Sequence, residues 1–222
     1  MSREIDELIG EFERLTEDCA KFLFITRGKE FQQEAIEKLT ALKQKISLFK
    51  EKAVESKNED SANIALSLEL FIGALIGELR MWIALKEDDP NKAWDYLVGA
   101  QLLVRNAAQA HRTAEERAES YANKLHLLEK LLFPPQIFFS PGFIHKEEEC
   151  SICGKEYGEC EHIKGKAYMG KICYVIIREI KILREISIVE EPADKRARVL
   201  QFTDEDGTTR DLTTWKRIEK VD

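Results

Sequence analysis

Residues 150–162 read CSICGKEYGECEH. Three of the chain's five cysteines and one of its four histidines fall in this stretch. Cys150, Cys153, Cys160 and His162 follow the spacing C-x2-C-x6-C-x-H. Thiolates and imidazole are soft or borderline donors, and four of them suit tetrahedral Zn2+. Two thiolates two residues apart reach one ion only if the backbone curls beneath it. Gly154 permits the positive φ of such a knuckle, and Gly158 offers a second turn before Cys160. Four protein donors close the coordination sphere, so the expected zinc is structural; a catalytic ion keeps a position open for water. A redox C-x-x-C would want a thioredoxin-like setting, and the H-x-E…P-C-x-x-C pattern of nucleobase deaminases is absent. Cys173 is an alternative fourth ligand to His162, which the compact local spacing favours.

Downstream of the cluster the pattern is β. CYVIIREIKILREISIV (173–189) is rich in β-branched residues, with Ile180, Ile182, Ile186 and Ile188 expected on one face and Lys181 and Ser187 on the other. RVLQF (198–202) reads as a strand, DEDG (204–207) as a turn and TTRDL (208–212) as the hairpin partner. Trp215 and Ile218 are candidates to anchor the tail.

Upstream the pattern is helical to about Phe133. Ile5, Leu8, Phe12, Leu15, Cys19 and Phe22 form one heptad seam, and Ala35, Leu39, Leu42, Ile46, Phe49 and Ala53 form a second. Gly28 between them can supply the turn of an antiparallel pair. A third helix, capped by Asp60 or Ser61, is apolar over a wide face from Ile64 to Ile83, as a central helix would be. Glu69, Glu78 and Arg80 argue against its crossing a membrane. Gly73 and Gly77 lie one turn apart and would let a neighbour approach closely. Asp89 and Pro90 start a fourth helix. Thr113 and Glu116 form a capping-box pattern for a fifth helix or a bend. His111 and His126 show no partner set. Residues 134–145, PPQIFFSPGFIH, end the helical region, yet are too apolar for a free linker.

Residues 1–149 hold 20 lysines and arginines against 27 acids, and residues 150–222 hold 14 of each, for a net charge of −7. The acidic N-terminal part has no bulk attraction for nucleic acid. The neutral part could present a basic patch from Lys155, Lys164, Lys166, Lys171, Arg196 and Arg198. The first residues carry no basic and apolar leader pattern, so a cytoplasmic location is expected, where clustered cysteines are metal ligands more often than disulfides.

GECEHIKGKAYMGKICYVII (158–177) followed by EISIVEEPADKRARV (185–199) resembles the tail of phage prohead maturation proteases. That family carries an E-V-S-L-V stretch followed closely by P-A, and Glu185, Ile186, Ser187, Ile188, Val189, Pro192 and Ala193 match it. The resemblance spans about fifty residues. It implies a zinc-stapled β tail and a phage or mobile-element origin. It does not imply proteolysis, because a helical region stands where that family's catalytic domain lies, and Ser187 matches a strand residue rather than the nucleophile.

The expected architecture is α+β: an N-terminal antiparallel bundle of four to five helices (1–133), a Pro/Phe-rich connector (134–149) and a small zinc-stabilised β module (150–222). The expected role is a non-enzymatic, zinc-binding adaptor in a phage-related or anti-phage complex, with a protein partner, no membrane and room for a homo-oligomer. A nucleic-acid-binding zinc finger and a diverged hydrolase using Ser187 are the alternatives.

Overall fold

The second heptad seam is buried throughout, from Ala35 to Ala53. The computed structural model, which describes residues 2–218, places it on helix α2 (Lys29–Glu55). Helix α1 (Ser2–Ala20) packs on α2, burying Ile5, Leu8, Phe12 and Cys19. Phe22 lies beyond the end of α1. Gly28 lies in the link between α1 and α2, as the N-cap of α2 at φ −58°.

Helix α3 (Glu59–Lys86) is central, packing on α1, α2 and α4 (Pro90–Ala110). Its cap is Asn58, whose side chain accepts from Ser61 N, rather than Asp60 or Ser61. Asp89 and Pro90 start α4 as expected. The α3–α4 contact is close at the glycines: a Cβ on Gly77 would sit 3.1 Å from Ala100 Cβ, and one on Gly73 would sit 3.1 Å from Leu103 Cδ1. Glu78 is fully buried on α3 yet accepts from Trp82 Nε1 (3.2 Å), Lys124 Nζ (2.7 Å) and the Tyr121 hydroxyl. Lys124 and Tyr121 belong to α5 (Glu115–Leu132), so this buried carboxylate ties two helices together. A charged side chain that argued against a membrane span is thus an internal brace of the bundle.

The α4–α5 junction differs from the capping-box reading. A 3-10 turn (Arg112–Ala114) intervenes, and His111 caps it: its Nδ1 accepts from Thr113 N, and its Nε2 lies 3.1 Å from Asp60 Oδ1. His111 therefore has partners that local sequence did not reveal.

Residues 134–149 are no mere connector. Strand β1 (Phe138–His145) pairs antiparallel with β6 (Ile180–Val189), and β2 (Glu148–Cys150) pairs with β5 (Val175–Ile177). Lys146 N donating to Glu179 O and Arg178 N donating to Glu147 O join the two ladders. The result is one long two-stranded ribbon with residues 151–174 inserted at its tip. That tip holds the short hairpin β3 (Ala167–Tyr168) and β4 (Lys171–Ile172). A last hairpin, β7 (Gln201–Thr203) and β8 (Thr209–Asp211), matches the expected turn at 204–207. Trp215 packs edge-on against Phe202 but stays exposed.

The ribbon has two register shifts, between Gly142 and Phe143 and between Ile144 and His145. Each inserts an extra residue in β6, which flips the alternation beyond it. Leu183 and Ile180 therefore join Ile186 and Ile188 on one face, alongside Phe139, Pro141 and Phe143. Ile182 goes to the other face, against the simple alternation read from sequence.

Both ends of the ribbon reach the bundle. At one end Phe138 packs on Trp94 of α4 together with Phe133, and Val189 lies against the same core. At the tip, Asn63 of α3 accepts from Gly170 N (2.9 Å) and donates to Ala167 O.

Candidate metal centre

The metal site sits where the ribbon turns. Cys150 ends β2 opposite Val175, and Cys173 lies two residues before that partner. Gly154 adopts φ +72° and its N–H donates to Cys150 O (2.9 Å), which curls the chain back between Cys150 and Cys153. Gly158 adopts φ +103° ahead of Cys160. Both glycines therefore do what the sequence reading asked of them.

The donor atoms of Cys150, Cys153, Cys160 and His162 all lie within 4.8 Å of one another. These four residues are placed to hold a metal ion, and three thiols with one imidazole suit zinc. An independent sign comes from His162. Its Nδ1 is buried without a hydrogen-bond partner, the one such side-chain nitrogen or oxygen among the described residues. Buried polar atoms are otherwise paired almost without exception, so an orphaned ring nitrogen at a thiol cluster fits the role of a metal ligand. Tyr168 sets the ring's orientation, edge-on at 4.6 Å between centroids, and its hydroxyl accepts from Ile163 N.

Burial disfavours the Cys150 thiolate, yet the N–H groups of Cys153 and Ile152 and the thiols of Cys153 and Cys160 outweigh it. They bring the Cys150 thiol down to about 6. His162 N–H pulls Cys160 downward, but burial and the neighbouring Cys150 and Cys153 leave it raised. Burial, then the hydrogen bond with Cys150, push Cys173 up to about 11. A lowered Cys150 pKa favours the thiolate, the form in which a cysteine binds a metal. Cys173 lies 3.8 Å from Cys150, sulfur to sulfur, and is fully buried. It stands outside the group of four mutually close donors, with its sulfur beside that of Cys150.

Lys155 and Lys166 serve the knuckle through their backbones: Lys155 O accepts from Cys150 N and Lys166 O from Cys173 N, each at 2.8 Å. Their side chains are exposed. Lys164 and Lys171 are also exposed and border a cleft against α4. Arg196 is exposed beside Asp194 (3.8 Å). Arg198 does not belong with these surface cations. It is 7% exposed, donates to Asn91, Gln136 and Thr213, and lies over the Trp94 ring. Its guanidinium is spent on holding the module to α4, which leaves no face for a phosphate. Ser187 lies in mid-ribbon opposite Ser140.

The sequence reading missed Arg105 of α4, which faces Lys164 and Lys171 across that cleft. Nothing local marks an exposed arginine on a helix as part of a site some sixty residues away. No protein-family model matches this chain, and searches of the curated proteins and of the solved structures return no match either.

Proposed function

We propose that this protein is a non-enzymatic adaptor in which a structural zinc ion fastens a β ribbon that docks on a protein partner. The observation that carries the reading is the ribbon's apolar face. Ile180, Leu183, Ile186 and Ile188 are 59–73% exposed. With Phe139, Pro141 and Phe143 they form a continuous apolar strip that nothing in the chain covers among the described residues. Contiguous exposed apolar surface of this kind marks an interaction site. A two-stranded ribbon is itself below the three strands needed for independent stability. The occupant that remedies both is a protein presenting an apolar β face, packed about 10 Å away as in a sandwich.

Zinc enters this role as a staple. Cys150, Cys153, Cys160 and His162 would hold it at the ribbon's tip, closing the far end of both long strands. The chemistry it supplies is structural cross-linking. The resemblance of residues 185–193 to the prohead-protease tail falls on β6 and the turn after it, which supports a phage-related or anti-phage setting. The hydrolase alternative has no comparable support, since Ser187 is a paired strand residue.

The test is affinity purification from native cells, comparing the wild type with Ile186→Lys/Ile188→Lys. The expected result is a stoichiometric partner that the double variant loses while keeping its zinc. A partner retained by the variant, or a monomer whose β6 amides exchange as slowly as those of α3, counts against the reading. A second copy of this chain recovered on the ribbon would replace the separate partner with a homodimer.

A further inference from the structure

A cleft of about 1070 Å3 lies between α4 and the zinc-bearing tip of the ribbon. Arg105 borders it from the helix, and Lys164 and Lys171 border it from the tip. No acidic residue lines it among the described residues, although the chain carries a net charge of −7.

The three cations are all exposed. No ion pair or side-chain hydrogen bond engages them among the described residues. Other cations nearby are committed: Lys50 to Glu69, Lys195 to Glu129, and Arg178 to Glu149. Unpaired cations bordering one concavity raise its positive potential and attract an anion there.

The remaining lining narrows the anion. The floor is apolar, with Leu66, Leu70 and Ile172 among its residues, and Tyr174 stands at the rim with 58% of its surface exposed. Asn106 and Gln109 of α4 add amides that make no side-chain hydrogen bond among the described residues. Cations that track phosphates, an aromatic face that takes a base and amides that can read a base edge together describe a single-strand binding groove. A duplex keeps its bases stacked inside and would meet the rim with phosphates alone. An inorganic anion would have no use for the apolar floor.

We propose that this cleft binds single-stranded nucleic acid, with phosphates on Arg105, Lys164 and Lys171 and a base stacked on Tyr174. The proposal does not depend on the ribbon's partner. It drops Lys155, Lys166, Arg196 and Arg198 from the binding set and adds a helix of the bundle. The bundle's overall acidity is then no obstacle, because the strand meets a local basic seam.

Fluorescence anisotropy of the zinc-loaded full chain tests it, with oligo-dT, oligo-U and a duplex of about 12 units as probes. Three phosphate contacts on a single strand predict a roughly 20-fold loss of affinity between about 50 and about 200 mM salt. Arg105→Glu and Lys171→Glu should each weaken binding by at least about tenfold, while Lys130→Glu, an exposed reversal on α5, should not. Tyr174→Ala should cost about 5- to 160-fold. Zinc content and thermal midpoint are measured for each variant, so misfolding is recognised. Preference between oligo-dT and oligo-U would say which nucleic acid is the natural ligand. The proposal is overturned by three results: no single-strand binding at the lower salt; binding unaffected by Arg105→Glu and Lys171→Glu in folded protein; or duplex preferred and Tyr174→Ala silent.

Discussion

In the bundle, fully buried side chains recur along its helices: Phe12 on α1, Leu39 and Ile46 on α2, Ile72 and Leu79 on α3, Trp94 and Leu97 on α4, and Leu125 on α5. From Phe139 to Ile218, by contrast, the buried residues are Cys150, Gly170, Cys173 and Arg198. The first region is held by apolar surface removed from water, the second by a thiol cluster, a glycine against α3 and one guanidinium. About eighty residues with so little core lie at the edge of what burial alone can fold. The two regions therefore answer different perturbations. The bundle should respond to changes in packing and in its one buried charge, and the module to the metal.

Metal removal is the largest effect and could break this contrast outright. Structural zinc contributes apparent binding free energies of about 10–16 kcal/mol in isolated fingers, far above what the module's few buried residues can replace. Protein purified without added metal should carry close to one zinc per chain. Chelation, or Cys150→Ser/Cys153→Ser, should leave helical circular dichroism nearly intact while amides of residues 148–177 exchange rapidly. Loss of the helical signal would make the bundle dependent on the module. Unchanged exchange at the tip would remove the metal from the account of the fold.

Glu78→Ala probes the other side. Its carboxylate is fully buried, while its partner Lys124 is 36% exposed on its side chain and can swing toward water when released. Breaking a buried pair costs about 3–5 kcal/mol, and the escape open to Lys124 places this one near the lower figure. The variant should lower the urea midpoint of the helices with zinc still bound. Burial of the hydroxyl, then the Glu78 charge and its hydrogen bond, hold the Tyr121 pKa well above the ordinary phenol value. Tyr121 in the variant should therefore titrate at lower pH by ultraviolet absorbance.

Legibility in the sequence follows the same division. The second seam and the apolar face of α3 were readable because helical burial repeats with a fixed period. The four metal donors were readable because they are clustered and flanked by Gly154 and Gly158. What was hidden depends on residues far apart in sequence. His111 meets Asp60 across 51 positions, and Arg198 meets Asn91 across 107. The two bulges in β6 moved Ile182 off the expected face because alternation assumes a register that only the partner strand fixes. The apolar residues of 134–145 read as a connector because their strand partner begins some forty residues later.

Arg198 offers the smallest and most discriminating change, because it belongs to neither region alone. Its guanidinium donates to Asn91 Oδ1 at 2.6 Å, Gln136 Oε1 at 2.6 Å and Thr213 Oγ1 at 3.0 Å. Burial pulls its pKa below the usual guanidinium value, with Asp95 and Asp211 opposing. Arg198→Ala should cost about 2 kcal/mol, the scale of a charged group's hydrogen bonds. Arg198→Lys should not rescue it, since a point-like ammonium lacks the planar fork that serves separated acceptors. If bundle and module are separately stabilised, hydrogen exchange should quicken in residues 195–218 and stay unchanged at the zinc tip and in α3. A uniform loss of protection would instead make the chain one cooperative unit. Arg198 would then be a coupling between two dependent halves rather than a clasp between two independent ones.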